Sequence, residues 1–168
     1  AVCIGKEDGM ALKETLKTKK ATAKIDMTNT SDMIKARNVV ATLPGSEIPE
    51  EEIVIGGHLD SWDLATGAID NGIGSFAVLD IARAFKANNL QPKRTVKFVM
   101  FMGEEQGLLG SKYLVEQAVE NNTIENIKYM MNLDMSGNPI GMNAGGKLDD
   151  EQFFKDLGAV IQKQDTIY

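Results

Sequence analysis

The sequence is poor in the residues that most often build cross-links and metal sites. Its single cysteine is Cys3. One thiol cannot form an intrachain disulfide, and it cannot supply the several cysteines of a structural zinc site. Histidine is equally scarce, because His58 is the only one among the 168 residues. Any metal centre in this chain therefore has a single imidazole to use, and its other ligands must be of another type.

Positively charged runs and long apolar stretches are also missing. The formal net charge is −6, and no Lys/Arg-rich segment offers a surface for nucleic-acid phosphates. We therefore expect no nucleic-acid partner and no membrane span. No apolar signal stretch follows Ala1, so we expect no signal peptide within this chain. With 43% hydrophobic and 25% charged residues, the composition is that of an ordinary globular domain.

Two common catalytic motifs are absent as well. No Gly-x-Ser-x-Gly sequence occurs, and Cys3 has no nearby histidine, so covalent catalysis by serine or cysteine finds no support. The glycine-rich stretch 67–74 lacks the Gly-Lys-Ser/Thr of a phosphate-binding P-loop. Acyl-enzyme hydrolysis and nucleotide binding are therefore not predicted.

Three β-rich segments predict the strands of a sheet, and they span residues 52–57, 95–103 and 127–133. Apolar residues at helical spacing predict a helix from Ile73 to Ala87 between the first two segments. A second helix is predicted from Glu105 to Glu120. This β–α–β–α–β order favours parallel strands with helices packed on the sheet. The predicted fold class is therefore α/β, with ligands bound at the carboxyl ends of the strands.

The first part of the chain gives two further predictions. The polar stretch 28–36 is the clearest candidate for a domain boundary, so residues 1–32 are expected to form an edge hairpin or part of another lobe. The main domain is then 33–168. A strand over residues 37–43 is expected to pair antiparallel with 52–56 through a turn that begins at Pro44. Such a pairing makes the sheet mixed.

Near the other end, a helix is expected to begin at Asp149 or Asp150 and to continue to about Gln164. Its apolar residues recur at helical spacing and predict a buried stripe. The stripe consists of Phe153, Phe154, Leu157, Val160 and Ile161.

Polar side chains follow each predicted strand. His58 comes directly after the first strand, where it can bind a metal or simply pack. Asp60 can accept a hydrogen bond from the other ring nitrogen, which would orient the imidazole toward a metal. The alternative is that Asp60 only caps the turn around Ser61.

Four more carboxylates complete the pattern. Asp70 opens the first predicted helix, either as its N-cap or as the bridging ligand of a dinuclear site. Glu104 and Glu105 follow the second strand and either complement a helix dipole or divide two roles, metal binding and proton transfer. Asp134 follows the third strand as a ligand or as a simple strand end. Taken together, these residues predict a hydrolytic metal site.

The spaced set of His58, Asp60, Asp70, Glu104, Glu105 and Asp134 resembles the dinuclear zinc peptidases of family M28. Residues 57–63, 67–70 and 104–107 are particularly similar to the carboxypeptidase Q branch of that family. The resemblance implies a three-layer αβα sandwich with a mixed, mainly parallel sheet. It further implies two zinc ions, an exopeptidase acting on dipeptides or short peptides, and a secreted or periplasmic parent protein.

The resemblance also implies a role for each residue. His58 and Asp134 would bind one zinc ion, Glu105 would bind the other, and Asp70 would bridge the two. Glu104 would be the general base and later the acid, while Asp60 would support His58. Residues 1–32 are similar to the end of a protease-associated insertion.

One departure from the family pattern concerns the second metal. The family completes that site with a histidine far downstream, whereas no histidine follows His58 here. We therefore expect this chain to be the N-terminal portion of a catalytic domain that holds one zinc ion or none and has little activity alone. Two alternatives on the same fold are a catalytically inactive binding or receptor module and a glutaminyl cyclase-like acyltransferase.

Overall fold

A computed structural model of the chain describes residues 2–137 and 146–163. The chain divides into two compact units, Ala1–Ile34 and Lys35–Tyr168. In the first unit the described residues form one helix, α1 (Lys6–Thr15), and no strand. The expected edge hairpin is therefore not formed in that part of the chain, and the similarity to a protease-associated insertion stays a prediction.

The second unit alternates strands and helices. Its elements are β1 (Val39–Leu43), β2 (Ile48–His58), α2 (Ile73–Ala87), β3 (Arg94–Phe101), α3 (Leu109–Glu120), β4 (Ile127–Asn132) and α4 (Glu151–Gln162). The predicted β–α–β–α–β order is confirmed, and α2 has the predicted bounds. Helix α3 begins later than predicted because Gly107 and Leu108 both have positive φ, which interrupts a helix. Among the described residues, no helix is both long enough and apolar enough to cross a membrane.

The four strands form one sheet in the order β1-β3-β2-β4. Strand β2 lies parallel to both of its neighbours, β3 and β4. Strand β1 runs antiparallel to β3, with Val39 opposite Met100 and Leu43 opposite Val96. The sheet is therefore mixed and mainly parallel, as expected.

The predicted partner of β1 is wrong, because β1 pairs with β3 rather than with β2. The turn after β1 explains the difference. The backbone amide of Ser46 donates to the carbonyl of Pro92, and the amide of Gly45 donates to Oγ1 of Thr95. These hydrogen bonds hold the turn against the start of β3, so that β3 enters the sheet between β1 and β2.

Helices cover both faces of the sheet. On one face, Val78 of α2 packs with Val96 and Phe98 of β3. On the other face, Leu114 of α3 packs against a cluster that includes Val99. Neighbouring residues of a strand point to opposite faces, so β3 contributes to both cores. The predicted three-layer αβα sandwich is confirmed.

The predicted C-terminal helix is present as α4, but its predicted buried stripe is wrong. No described residue of α4 is buried, and Phe153 and Val160 are both about half exposed. Phe153 stacks on Tyr129, with 6.4 Å between ring centroids. Because Tyr129 lies on the edge strand β4 and is itself exposed, this contact does not bury the helix. The predicted end at Gln164 lies outside the described residues.

Candidate metal centre

The parallel arrangement of β2, β3 and β4 brings the segments that follow them to one edge of the sheet. His58 ends β2 and lies opposite Phe101 at the end of β3. Glycine permits the close approach needed at this edge: a Cβ on Gly57 would lie 2.8 Å from the carbonyl oxygen of Leu133. A side chain on Gly74 would overlap the same oxygen. The segment carrying Asp134 can therefore lie directly beside the ends of β2 and the start of α2.

His58 is buried, with 2% of its surface exposed, and both ring nitrogens are engaged. Nδ1 lies 2.9 Å from the backbone carbonyl oxygen of Asp60. A carbonyl oxygen only accepts hydrogen bonds, so Nδ1 carries the proton. Nε2 lies 3.0 Å from Oδ1 of Asp70 and 3.5 Å from Oδ1 of Asp134. The nitrogen available to a metal thus faces two carboxylates.

Asp60 supports the site differently from the expectation. Its backbone carbonyl, rather than its carboxylate, accepts the hydrogen bond of His58, and the carboxylate Oδ1 lies 3.7 Å from Nδ1. The carboxylate accepts the backbone N–H groups of Glu104 at 3.0 Å and of Glu105 at 3.2 Å. These two adjacent amides lie just after β3 and have no partner within a helix or strand, so the Asp60 carboxylate is the acceptor available to them. Asp60 therefore joins the segment after β2 to the segment after β3.

Asp70 does not act as the N-cap of α2. Residue Gly72 occupies that position and has no side chain to cap the helix, and the side chain that accepts an N–H of the first turn is that of Asn71. The Asp70 carboxylate instead faces His58, and its backbone carbonyl accepts a 2.8 Å hydrogen bond from the hydroxyl of Ser61. The loop holds the Asp70 side chain toward the convergence of the three strand ends.

Glu105 completes a group of three. The ligand atoms of His58, Asp70 and Glu105 all lie within 4.8 Å of one another. Oε1 of Glu105 is buried and has no hydrogen-bond partner among the described residues. A buried carboxylate oxygen without a partner is strongly unfavourable. A divalent cation between these atoms would satisfy that oxygen, so the residues present fit a metal.

The clustered carboxylates change the pKa values of two residues of the site. Burial lowers the pKa of His58, but the hydrogen bond to Asp60 and the charges of Asp134, Glu104 and Asp60 outweigh it and raise the pKa above its ordinary value. Desolvation, followed by the charge of Asp70, raises the pKa of Glu105, against the opposing effect of His58. Both shifts favour the protonated forms, and a bound cation would compete with those protons.

Glu104 lies next to this group, half-buried. Its charge acts on both His58 and Glu105, yet its ligand atoms are not part of the converging three. The structure therefore brings together His58, Asp70, Glu105 and Asp134, with Glu104 and Asp60 beside them. The roles assigned to the six residues stay predictions.

Two buried residues that contact the site were not predicted. Ser75 donates a 2.6 Å hydrogen bond to the carbonyl oxygen of His58. Asn71 contacts the backbone of Leu133 and Met135 on either side of Asp134. Polar residues at the start of a predicted apolar helix were the available signal. The partners of Asn71 lie more than sixty residues away, and local spacing does not identify them.

Comparison with known proteins agrees with this arrangement. Residues 38–164 match the protein family described as peptidase family M28. The chain belongs to that family. Carboxypeptidase Q of Xenopus laevis is 36% identical to this M28 chain over 126 residues, which are 74% of this chain and 26% of that protein.

Two further relatives extend the comparison. A protein named probable zinc metalloprotease, from Pyrenophora teres f. teres (strain 0-1), is 42% identical over 113 residues, or 62% of this chain and 23% of that protein. The solved aminopeptidase from Aneurinibacillus sp. strain AM-1 matches with a TM-score of 0.52 and 34% identity. That match covers 58% of this chain and 24% of the aminopeptidase. The M28 chain thus spans about a quarter of the length of the curated relatives it matches.

Proposed function

We propose that the parent protein of this M28 chain is a zinc-dependent exopeptidase that hydrolyses dipeptides or short peptides. The observation that carries the proposal is the buried Oε1 of Glu105, which lies beside His58 and Asp70 and has no hydrogen-bond partner in the described part of the chain. Relatives named as a carboxypeptidase, a zinc metalloprotease and an aminopeptidase support peptide hydrolysis with zinc. By the same family resemblance, we propose a secreted or periplasmic parent.

The proposed ligands have the donor chemistry that zinc prefers, imidazole nitrogen together with carboxylate oxygen. His58 and Asp134 would hold one ion, Glu105 would hold the other, and Asp70 would bridge them. When bound, zinc lowers the pKa of water to about 7 and polarises a carbonyl group. The hydrogen bond from Nδ1 of His58 to Asp60 keeps Nε2 aimed at the two aspartates.

Glu104 is the proposed general base and acid. It is half-buried and adjacent to Glu105, and Asp60 anchors the backbone of both glutamates. Its carboxylate would accept a proton from the attacking water and deliver it to the leaving amine. A binding module does not need a carboxylate that transfers protons beside the metal ligands, so the presence of Glu104 favours hydrolysis.

The M28 chain by itself is proposed to hold one zinc ion or none. Within its described residues, the second ion would find Asp70 and Glu105 only, and catalytic zinc sites commonly use three protein ligands. His58 is already committed to the first ion, and it is the only histidine. Full activity is therefore proposed for the longer parent protein.

The direct test is a hydrolysis assay of the parent protein on unblocked dipeptides before and after treatment with a chelator. Activity should disappear with the chelator and return with added zinc. Glu104→Gln provides the control, because it should abolish hydrolysis without loss of metal. Hydrolysis that persists in the chelator, or a zinc-loaded parent that cleaves no peptide, would contradict the proposal.

A further inference from the structure

Asn71 is a buried polar residue at the centre of the carboxyl edge, with 2% of its surface exposed. Its Oδ1 accepts the backbone N–H of Gly74 at 3.2 Å and of Met135 at 3.1 Å. Its Nδ2 donates to the carbonyl of Leu133 at 2.9 Å and approaches the carbonyl of His58 at 3.5 Å. One amide group therefore joins the end of β2, the start of α2 and the segment after β4.

Asn71 contacts the residues on either side of Asp134. The carbonyl of Leu133 accepts a hydrogen bond from Asn71, and the N–H of Met135 donates one to it. Met135 has a φ of 48°, in the left-handed region that a side chain seldom adopts. Such a conformation persists only where surrounding contacts hold it. The hydrogen bond from the Met135 amide to Asn71 is one contact that holds this turn, and the Leu133 amide, which donates to the carbonyl of Gly56 at 2.8 Å, is another.

We propose that Asn71 is a positioning residue, whose side-chain amide holds Asp134 within reach of Nε2 of His58. Asn71 also directly follows Asp70, so one buried side chain fixes the backbone near both aspartates that face His58. The consequence for zinc rests on the proposed function, whereas the positioning itself does not. Groups that orient metal ligands in this way typically change metal affinity by about 10–100-fold when they are lost.

The chemistry of the four contacts requires an amide. Aspartate has a similar shape and retains the acceptor for Met135 and Gly74, but it cannot donate to Leu133. Leucine is also similar in outline and can make none of these contacts. Asn71→Asp and Asn71→Leu therefore separate the accepted hydrogen bonds from the donated ones.

Thr95 offers a matched control at the opposite end of β3. It is buried, accepts the N–H of Gly45 and donates to the carbonyl of Pro49. Thr95→Val removes this bridge while keeping the side-chain shape. Its loss should lower stability without disturbing the residues around His58.

Amide hydrogen exchange of the metal-free chain, measured residue by residue by NMR, tests the positioning. In Asn71→Leu, the Met135 amide should exchange at least about tenfold faster relative to the Val99 amide in the sheet centre. In Asn71→Asp, the Met135 amide should keep its protection. A uniform acceleration across the sheet would mean general destabilisation and would overturn the proposal.

Zinc titration of the same variants tests the functional consequence. Asn71→Leu should bind zinc about 10–100-fold more weakly than the unmodified chain, while Thr95→Val should bind it equally well. Unchanged Met135 protection together with unchanged zinc affinity in Asn71→Leu would overturn the inference. If the unmodified chain binds no zinc, the titration is made on the parent protein; should that protein also bind no zinc at His58, the proposed metal centre fails, and the exchange data still decide the positioning. If Asn71→Leu does not fold, the Asn71→Asp variant decides the positioning alone. Loss of Met135 protection in Asn71→Asp would show that the retained oxygen does not accept the Met135 amide, and it would overturn the proposal.

Discussion

Replacing Asp60 with alanine removes the acceptor of two backbone amides at once. The carboxylate of Asp60 accepts the N–H groups of Glu104 and Glu105 at 3.0 and 3.2 Å. Both amides precede the interrupted turn before α3, so no helical carbonyl can replace the lost acceptor. We therefore expect the segment after β3 to loosen, and the two glutamates with it.

The size of the effect follows from these two hydrogen bonds. A hydrogen bond to a charged group contributes about 1.5–3 kcal/mol. The Asp60 side chain is 16% exposed, so water can partly replace the lost contacts. Two such bonds would contribute about 3–6 kcal/mol without solvent, and after a discount for replacement by water the free energy of unfolding should fall by about 2–4 kcal/mol. At about 2–4 °C per kcal/mol for a chain of this size, Tm should fall by roughly 4–16 °C.

Thermal unfolding of the metal-free chain is the appropriate assay, because it excludes any effect through zinc. Asp63→Ala is the control, since Asp63 lies in the same loop, is exposed and, within residues 2–137 and 146–163, accepts only the N–H of Leu64. It should change stability by less than about 0.5 kcal/mol. An unchanged Tm in Asp60→Ala, or an equal loss in Asp63→Ala, would refute the anchoring of the glutamates by Asp60.

Three further predictions concern the metal and the proton. In the parent enzyme, Glu104→Gln should reduce hydrolysis by about 10²–10⁴-fold with metal content intact, and Glu105→Gln should lower metal content too; equal metal loss in both would show that the roles are misassigned. Because the pKa of His58 is raised, its stabilising contribution is complete below about pH 6.5 and is lost as pH rises through the folded-state value. In EDTA, the Tm difference between the unmodified chain and His58→Gln should therefore shrink from about pH 5 to about pH 8, and a growing difference would contradict that sign. Calorimetry of the isolated chain should find at most one zinc ion per chain, and two tightly bound ions would mean that another residue completes the second site.

The local sequence pattern was sufficient to predict the helices and strands that carry the site. Helix α2 shows apolar spacing from Ile73 to Ala87, and its predicted bounds are confirmed. The alternation of strands and helices implied parallel strands whose carboxyl ends share an edge. That order predicted that His58, Glu105 and Asp134 would converge. In the structure, ligand atoms of Glu105 and His58 lie within 4.8 Å of each other, and Asp134 lies 3.5 Å from Nε2 of His58.

Long-range choices could not be predicted in the same way. The pattern of residues 37–43 indicates a strand but does not name its partner, and hydrogen bonds of the following turn select β3. The apolar stripe of α4 indicates a helix, yet burial depends on what the surrounding chain provides. Asp60 was correctly placed near His58, but which of its oxygens makes each contact depends on the backbone. Asn71 reaches Met135 across 64 residues, a distance at which sequence spacing carries no information.

Zinc is proposed to bind beside Nε2 of His58, with Asp70, Glu105 and Asp134 as the other ligands. Anomalous diffraction at the zinc absorption edge, from zinc-soaked crystals of the parent protein, locates the ion. We expect a peak about 2.0–2.2 Å from Nε2 of His58 and from a carboxylate oxygen of Asp70. Crystals saturated with zinc that show no peak beside His58, or whose strongest peak lies elsewhere on the chain, would contradict it.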